Sequence, residues 1–160
     1  MNNPSSAYLQ LLGQLNLDEM YLQQVFEFYH QRYLQSELAQ QFVAKSPRLG
    51  PDQRSHRMIG FCDRTLGKEL PERRTFDGGA IRGSLQRQGL LMTTGHERFR
   101  GCVVFPELDA KAHIVAAVGY RIAVRLRHWD KPVVHWRKPE PGFYQQQGLT
   151  AIRQLIYGQA

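Results

Sequence analysis

The spacing of apolar residues differs between the start of this chain and its later part, and that difference sets its fold class. Leu22, Val25, Phe26, Tyr29 and Tyr33 recur at spacings of three and four, the repeat of one face of an α-helix. Beyond Phe99 the repeat falls to two. Tyr120, Ile122, Val124 and Leu126 alternate with Arg121, Ala123, Arg125 and Arg127, as in a strand whose successive side chains point to opposite faces. Helical patterning followed by strand patterning predicts an α+β chain: a small twisted antiparallel sheet with flanking helices on one side, preceded by an acidic helical arm.

Local signals divide this outline into elements. Residues 1–15, rich in Asn, Ser and Gln, read as a frayed tail, and Asn16 with Glu19 three residues on reads as a capping box opening the first helix. After a kink near Gln35, Ser36 reads as a fresh N-cap for a helix carrying Leu38, Ala39, Phe42 and Val43, which Ser46-Pro47 stops. Residues 58–61 read as a short strand and 65–74 as a loop. Asp77 then caps a helix with Ile81 and Leu85 inward, Arg82, Gln86 and Arg87 on the wet side, and Gly89 as its C-cap. Strands follow at 102–105, ended by Pro106, at 113–126 through Gly119, and at 131–138. Thr150 caps a last helix containing Ile152, Leu155 and Ile156. The expected domains are a tail and helical arm over 1–44 and a basic domain with a C-terminal helix over 45–160.

Charge follows the same division. Nineteen of the 21 Lys and Arg residues lie between Lys45 and Lys138 against nine Asp and Glu, a formal +10, whereas residues 1–44 hold one basic and four acidic residues. So concentrated a positive surface favours phosphates and the release of their counterions. Acidic lipid headgroups and acidic proteins answer to the same field. No run approaches the roughly 18 apolar residues of a membrane span, and residues 1–10 carry no Lys or Arg. The expected setting is the cytoplasm, with no membrane partner.

Candidate binding residues cluster where the strands begin. Arg98 and Arg100 flank Phe99, and guanidinium forks match phosphate bidentately. Arg121, Arg125 and Arg127 share one strand face, and Lys131, Arg137 and Lys138 belong to the next strand. Trp136, followed by two cations, offers a ring for base stacking. A solvated arginine face and a core tryptophan are the plainer readings of the same residues. Chemistry is harder to find. The carboxylates are dispersed, Glu107 and Asp109 being the nearest to a pair, whereas metal-dependent polymerisation needs converging acids. Cys62 and Cys102 lack metal-ligand spacing and read as buried thiols. Gly78-Gly79 and Gly83 form no phosphate-cradling motif. No residue set reads as catalytic, metal-binding or cofactor-binding.

Several segments together resemble a known family. Met58-Ile59-Gly60-Phe61, Gln88-Gly89-Leu90-Leu91, Glu97-Arg98-Phe99-Arg100-Gly101-Cys102-Val103-Val104-Phe105-Pro106, the stretch 114–121, and Pro139-Glu140 with Tyr144 occur in the order and rough spacing of the amino-terminal lobe of bacterial DnaG-type primase catalytic cores. Residues 29–45 also resemble the helix leading into that lobe, so the likeness covers roughly 20–148. It implies a lobe that guides single-stranded template and the initiating primer strand across a basic groove, with Arg98, Arg100 and Arg121 at the family's basic positions. The chain departs from the pattern at Cys102, where the family has a third arginine, at Val133-Val134-His135, and at Arg137-Lys138-Pro139-Glu140-Pro141; Lys131 and Arg137 are placed to restore the lost charge. The zinc-ribbon module and the acidic toprim lobe of such primases have no counterpart in these residues.

Three functions follow as expectations. The first is a nucleic-acid-binding accessory protein, for single-stranded DNA, in replication or transfer of a mobile element. The second is a non-catalytic subunit of a split primase that a separate toprim protein completes. The third is an interaction module that recruits a helicase, recombinase or nuclease.

Overall fold

The computed structural model describes residues 4–72, 74–122 and 130–139, with side chains from residue 17 onward. Two compact units divide the chain, and the larger, Tyr21–Lys138, carries the sheet. The helices are α1 (Pro4–Leu34), α2 (Glu37–Lys45), α3 (Pro51–Arg54), α4 (Leu66–Glu69) and α5 (Phe76–Gln88). The strands are β1 (Gly60–Phe61), β2 (Cys102–Leu108), β3 (Ile114–Arg121) and β4 (Val133–Arg137), all antiparallel in the order β1-β2-β3-β4. A small antiparallel sheet flanked by helices is the α+β fold expected.

Several local expectations are corrected at the helices. The polar start is not a frayed tail: α1 runs unbroken from Pro4 through Asn16. Proline suits the first helical position, and the Leu, Ala and Gln residues after it are good helix formers despite their polarity. Residues 65–74 hold the single turn α4, and α5 is capped two residues earlier than Asp77, because Thr75 accepts the Gly78 N–H at 3.0 Å. Asn16 lies inside α1, so no helix opens there, whereas the signals at Ser36, Ser46 and Gly89 are matched. The Ser36 hydroxyl accepts from the Ala39 N–H, α2 stops at Ser46, and Gly89 closes α5 at φ 83°, a conformation glycine adopts without penalty.

Helices cover both faces of the sheet, not one. Leu22, Val25, Phe26 and Tyr29 of α1 pack with Leu85 of α5 against Cys102, Val104, Ala117, Val134 and Trp136. Ala39 and Val43 of α2, with Leu49 and Ile59, pack against Val103 and Phe105. The reason lies in β2, whose apolar run Cys102-Val103-Val104-Phe105 has no polar side to leave in water. β2 also passes through Pro106 instead of ending there. β1 has stopped by that point, so no ladder bond needs the missing N–H, and the Pro106 carbonyl instead meets His56 Nε2 at 2.6 Å. The alternation beyond Ile122 and the helix at Thr150 lie outside the described residues.

Candidate nucleic-acid interface

The arginines are positioned by the corner where β2 begins and β3 ends. Register places Cys102 opposite Arg121. The chain reaches that corner through a tight turn in which Gly101 takes φ 75° and Phe99 is fully buried. Arg121 donates from Nη1 to the Arg100 carbonyl and from Nε to the Lys131 carbonyl at 2.9 Å. Arg100 in turn reaches Asp130 with Nη2 at 3.3 Å. Arg121 therefore ties the backbones of Arg100 and Lys131 together at one corner, and the Arg100 side chain holds one carboxylate there.

The remaining predicted residues are distributed differently. Arg98 turns toward α5, donating from Nε to the Gly89 carbonyl, so it braces the helix end. Arg137 is opposite Ala116, five positions along β3 from Arg121, about 17 Å at strand spacing. It is exposed beside Glu107 and His135, and the backbone N–H of neighbouring Lys138 bonds Val115. Trp136 is a core residue, not a stacking platform. It is 6% exposed, its indole N–H donates to the Gln88 carbonyl at 2.7 Å, and its ring lies 5.6 Å from Phe26. Arg125 and Arg127 lie outside the described residues.

A second cationic feature has no place in the sequence reading. Arg64, Arg82 and Arg100, with His96 and Glu97, line a cleft of about 170 Å³ beside the same corner. Arg82, taken from its helical position as a wet-side residue, is half-buried, and its Nε is buried without a partner among the described residues. Arg64 sits at φ 70°, uncommon for a residue with a side chain. The one legible signal was Asp63-Arg64-Thr65: Asp63 accepts the Thr65 N–H at 3.3 Å, an Asx-turn that sets the residue between them.

Behind the cleft lies a buried polar group. The Tyr29 hydroxyl donates to Glu97 Oε1 at 2.9 Å, and burial pushes the Glu97 carboxyl above its ordinary range. Burial likewise raises the Tyr29 hydroxyl and the Cys62 thiol, and lifts Cys102 to about 11. An acid whose folded-state pKa is raised favours the fold below its ordinary pKa, and loses that stabilisation as pH climbs through the folded-state value. Replacing Glu97 with Gln is thus expected to leave stability nearly unchanged at pH 4 and to raise it relative to wild type as pH increases toward 7. Urea denaturation at a series of pH values checks this; parallel curves would refute it.

Among the described residues, no group of three or more His, Cys, Asp and Glu is placed to hold a metal ion, and no helix is long and apolar enough to cross a membrane.

No protein-family model and no curated protein matches the chain. Solved structures do. The E. coli primase catalytic core superposes with a TM-score of 0.55 at 23% identity, over 83% of this chain and 45% of that one. The fold is shared with part of the DnaG primase core. The Aquifex aeolicus primase, comprising zinc-binding and RNA polymerase domains, gives a TM-score of 0.57 at 20% identity over 79% of this chain and 30% of its own. A DnaG primase catalytic domain bound to single-stranded DNA gives 0.57 at 22% identity, over 81% and 39%. The chain spans less than half the length of each of these structures.

Proposed function

We propose that this chain is a nucleic-acid-binding component of DNA replication that grips single-stranded DNA without catalysing primer synthesis by itself. The observation that carries this reading is the convergence of Arg100, Arg121 and Lys131 at one corner of a sheet with the primase-core fold. Such cations track successive phosphates without reading bases. In sequence, Arg125 and Arg127 lie four and six positions beyond Arg121. Arg137 and Lys138 give a strand a second cationic region farther along the sheet.

Fluorescence anisotropy with labelled single-stranded and duplex DNA across a salt series tests the proposal. Lys131→Ala is expected to weaken single-strand binding and to lower the salt slope by about one, the contribution of one phosphate contact. Arg121→Lys, which keeps the charge but loses the fork that holds the Arg100 and Lys131 carbonyls, is expected to weaken it too. Micromolar or weaker binding to both DNA forms, indifferent to these changes, would sink the reading.

A second reading draws on the fold shared with part of the primase core. Here a separate toprim-bearing protein completes a split primase. Metal-dependent primer synthesis should then appear only on mixing the two, and a partner equally active alone excludes it.

A further inference from the structure

We infer that the cleft between Arg64, Arg82 and Arg100 holds a phosphate monoester, the terminal phosphate of a nucleotide or of a strand, with its nucleoside lying along the glycine-bearing side of α5. The inference deepens the nucleic-acid reading above by adding a contact specific for an end.

Three stretches distant in sequence supply the guanidinium groups: the turn after β1, the middle of α5 and the turn before β2. Like charges gathered in a small space repel one another, so their convergence favours an arriving anion. The carboxylates nearby have partners of their own. Asp130 takes one nitrogen of Arg100, and Glu97 is engaged by the Tyr29 hydroxyl. Guanidinium forks pair with phosphate in defined directions, and a tetrahedral group has oxygens to offer forks arriving from several sides.

Arg82 points most directly to a ligand. Its Nη2 makes only long contacts, at 3.4 and 3.3 Å, with the Gly67 and Pro71 carbonyls, while its buried Nε finds no acceptor among the described residues. Buried N–H donors are nearly always paired, so the described residues leave the Arg82 guanidinium incompletely satisfied, and a turn of that group toward an anion in the cleft gives its donors an acceptor. Arg64 is held in place as well. Asp63 fixes the turn through both the N–H and the hydroxyl of Thr65, and is itself held by Arg32 at 2.6 Å. A residue kept at positive φ by such a network is an outlier of the kind that collects at ligand sites.

Size selects the group. The cleft's 170 Å³ falls below the roughly 300 to 1,000 Å³ of pockets that enclose whole small molecules. Arg82, Leu91 and Gly95 also border an adjoining groove of about 320 Å³, lined by Gly79, Gly83, Gln86 and Thr93. Glycines at 79 and 83 keep side chains off that wall and leave room for a sugar and base.

The test compares one oligodeoxynucleotide bearing a 5′-phosphate, a 3′-phosphate or hydroxyls at both ends, with deoxynucleoside mono- and triphosphates and inorganic phosphate as competitors. The variants are Arg64→Gly, which relieves the positive φ while removing the guanidinium, and Arg82→Gln. One phosphorylated end should bind at least tenfold tighter than hydroxyl ends. Both variants should lose that advantage while binding the hydroxyl form as wild type does. Competition by free nucleotide identifies a mononucleotide as the source, and its absence identifies a strand end. Equal affinity for all three oligonucleotides, with no competition, overturns the inference and leaves the nucleic-acid reading standing. Nucleotide binding without any oligonucleotide binding does the reverse, and binding of neither overturns both.

Discussion

Replacing Trp136 with Ala is expected to destabilise the protein by about 3–5 kcal/mol, the usual cost of truncating a large buried aromatic. The ring fills the space between β4 and α1, packed 5.6 Å from Phe26, and its N–H caps the carbonyl of the last residue of α5. That residue, Gln88, is 2% exposed. Losing a donor to so buried a carbonyl adds a desolvation cost of about 1–3 kcal/mol, which Trp136→Phe also bears, together with a smaller cavity than Trp136→Ala leaves because a six-membered ring remains. Denaturant unfolding reads both costs. Single-stranded DNA affinity, measured under conditions where each variant is folded, separates the core role from a stacking role. A core role predicts unchanged affinity for Trp136→Phe and stability losses for both variants. A stacking role predicts full stability for both and lost binding for Trp136→Ala.

The same tryptophan marks where sequence reading stops. A strand aromatic followed by Arg137 and Lys138 serves core or ligand equally well in sequence, and only the proximity of the α5 terminus, 48 positions away, decides it. Signals carried within a few residues were legible: the Ser36 cap, the Gly89 stop and the β4 alternation depend on local backbone chemistry alone. The burial of β2 on both faces was also written there, in four apolar residues without a break, although helices on one side were expected. Pro106 misled because a proline ends a strand only where the neighbouring strand needs its N–H. The site divides the same way. Arg100 and Arg121 were legible as phosphate-binding types, but their adjacency depends on the Cys102–Arg121 register. Arg64 and Arg82 were invisible as a pair because α4 and the turns around it bring them together, and nothing periodic in the sequence encodes that approach.

Phe99 and Gly119 should prove energetically coupled, and the coupling explains why the cationic corner has its shape. Phe99 is fully buried, edge-on to Phe26 at 6.4 Å, and Phe99→Ala is expected to cost about 3–5 kcal/mol. A Cβ at position 119 would lie 2.6 Å from Phe99 Cδ1 and 2.9 Å from Cys102 Cβ. Gly119→Ala therefore forces the ring or β3 to shift, an overpacking cost of about 1–3 kcal/mol. In Phe99→Ala/Gly119→Ala the added methyl enters space the ring has left, so the double variant should be more stable than the two single costs predict. The expected coupling is about 0.5–3 kcal/mol, the range for residues in contact. A double-mutant cycle by urea denaturation measures it, and simple additivity would show that β3 accommodates a side chain without displacing the ring. Arg98 and Arg100 flank Phe99 in sequence, and Arg121 follows Gly119 by two. The glycine lets the ring seat against β3, and the seated ring holds the turn whose Arg100 carbonyl receives Arg121. Gly119→Ala is accordingly expected to weaken single-stranded DNA binding even where the protein remains folded, with Phe99→Ala/Gly119→Ala recovering part of the stability but not the affinity, since the turn has then lost its anchor.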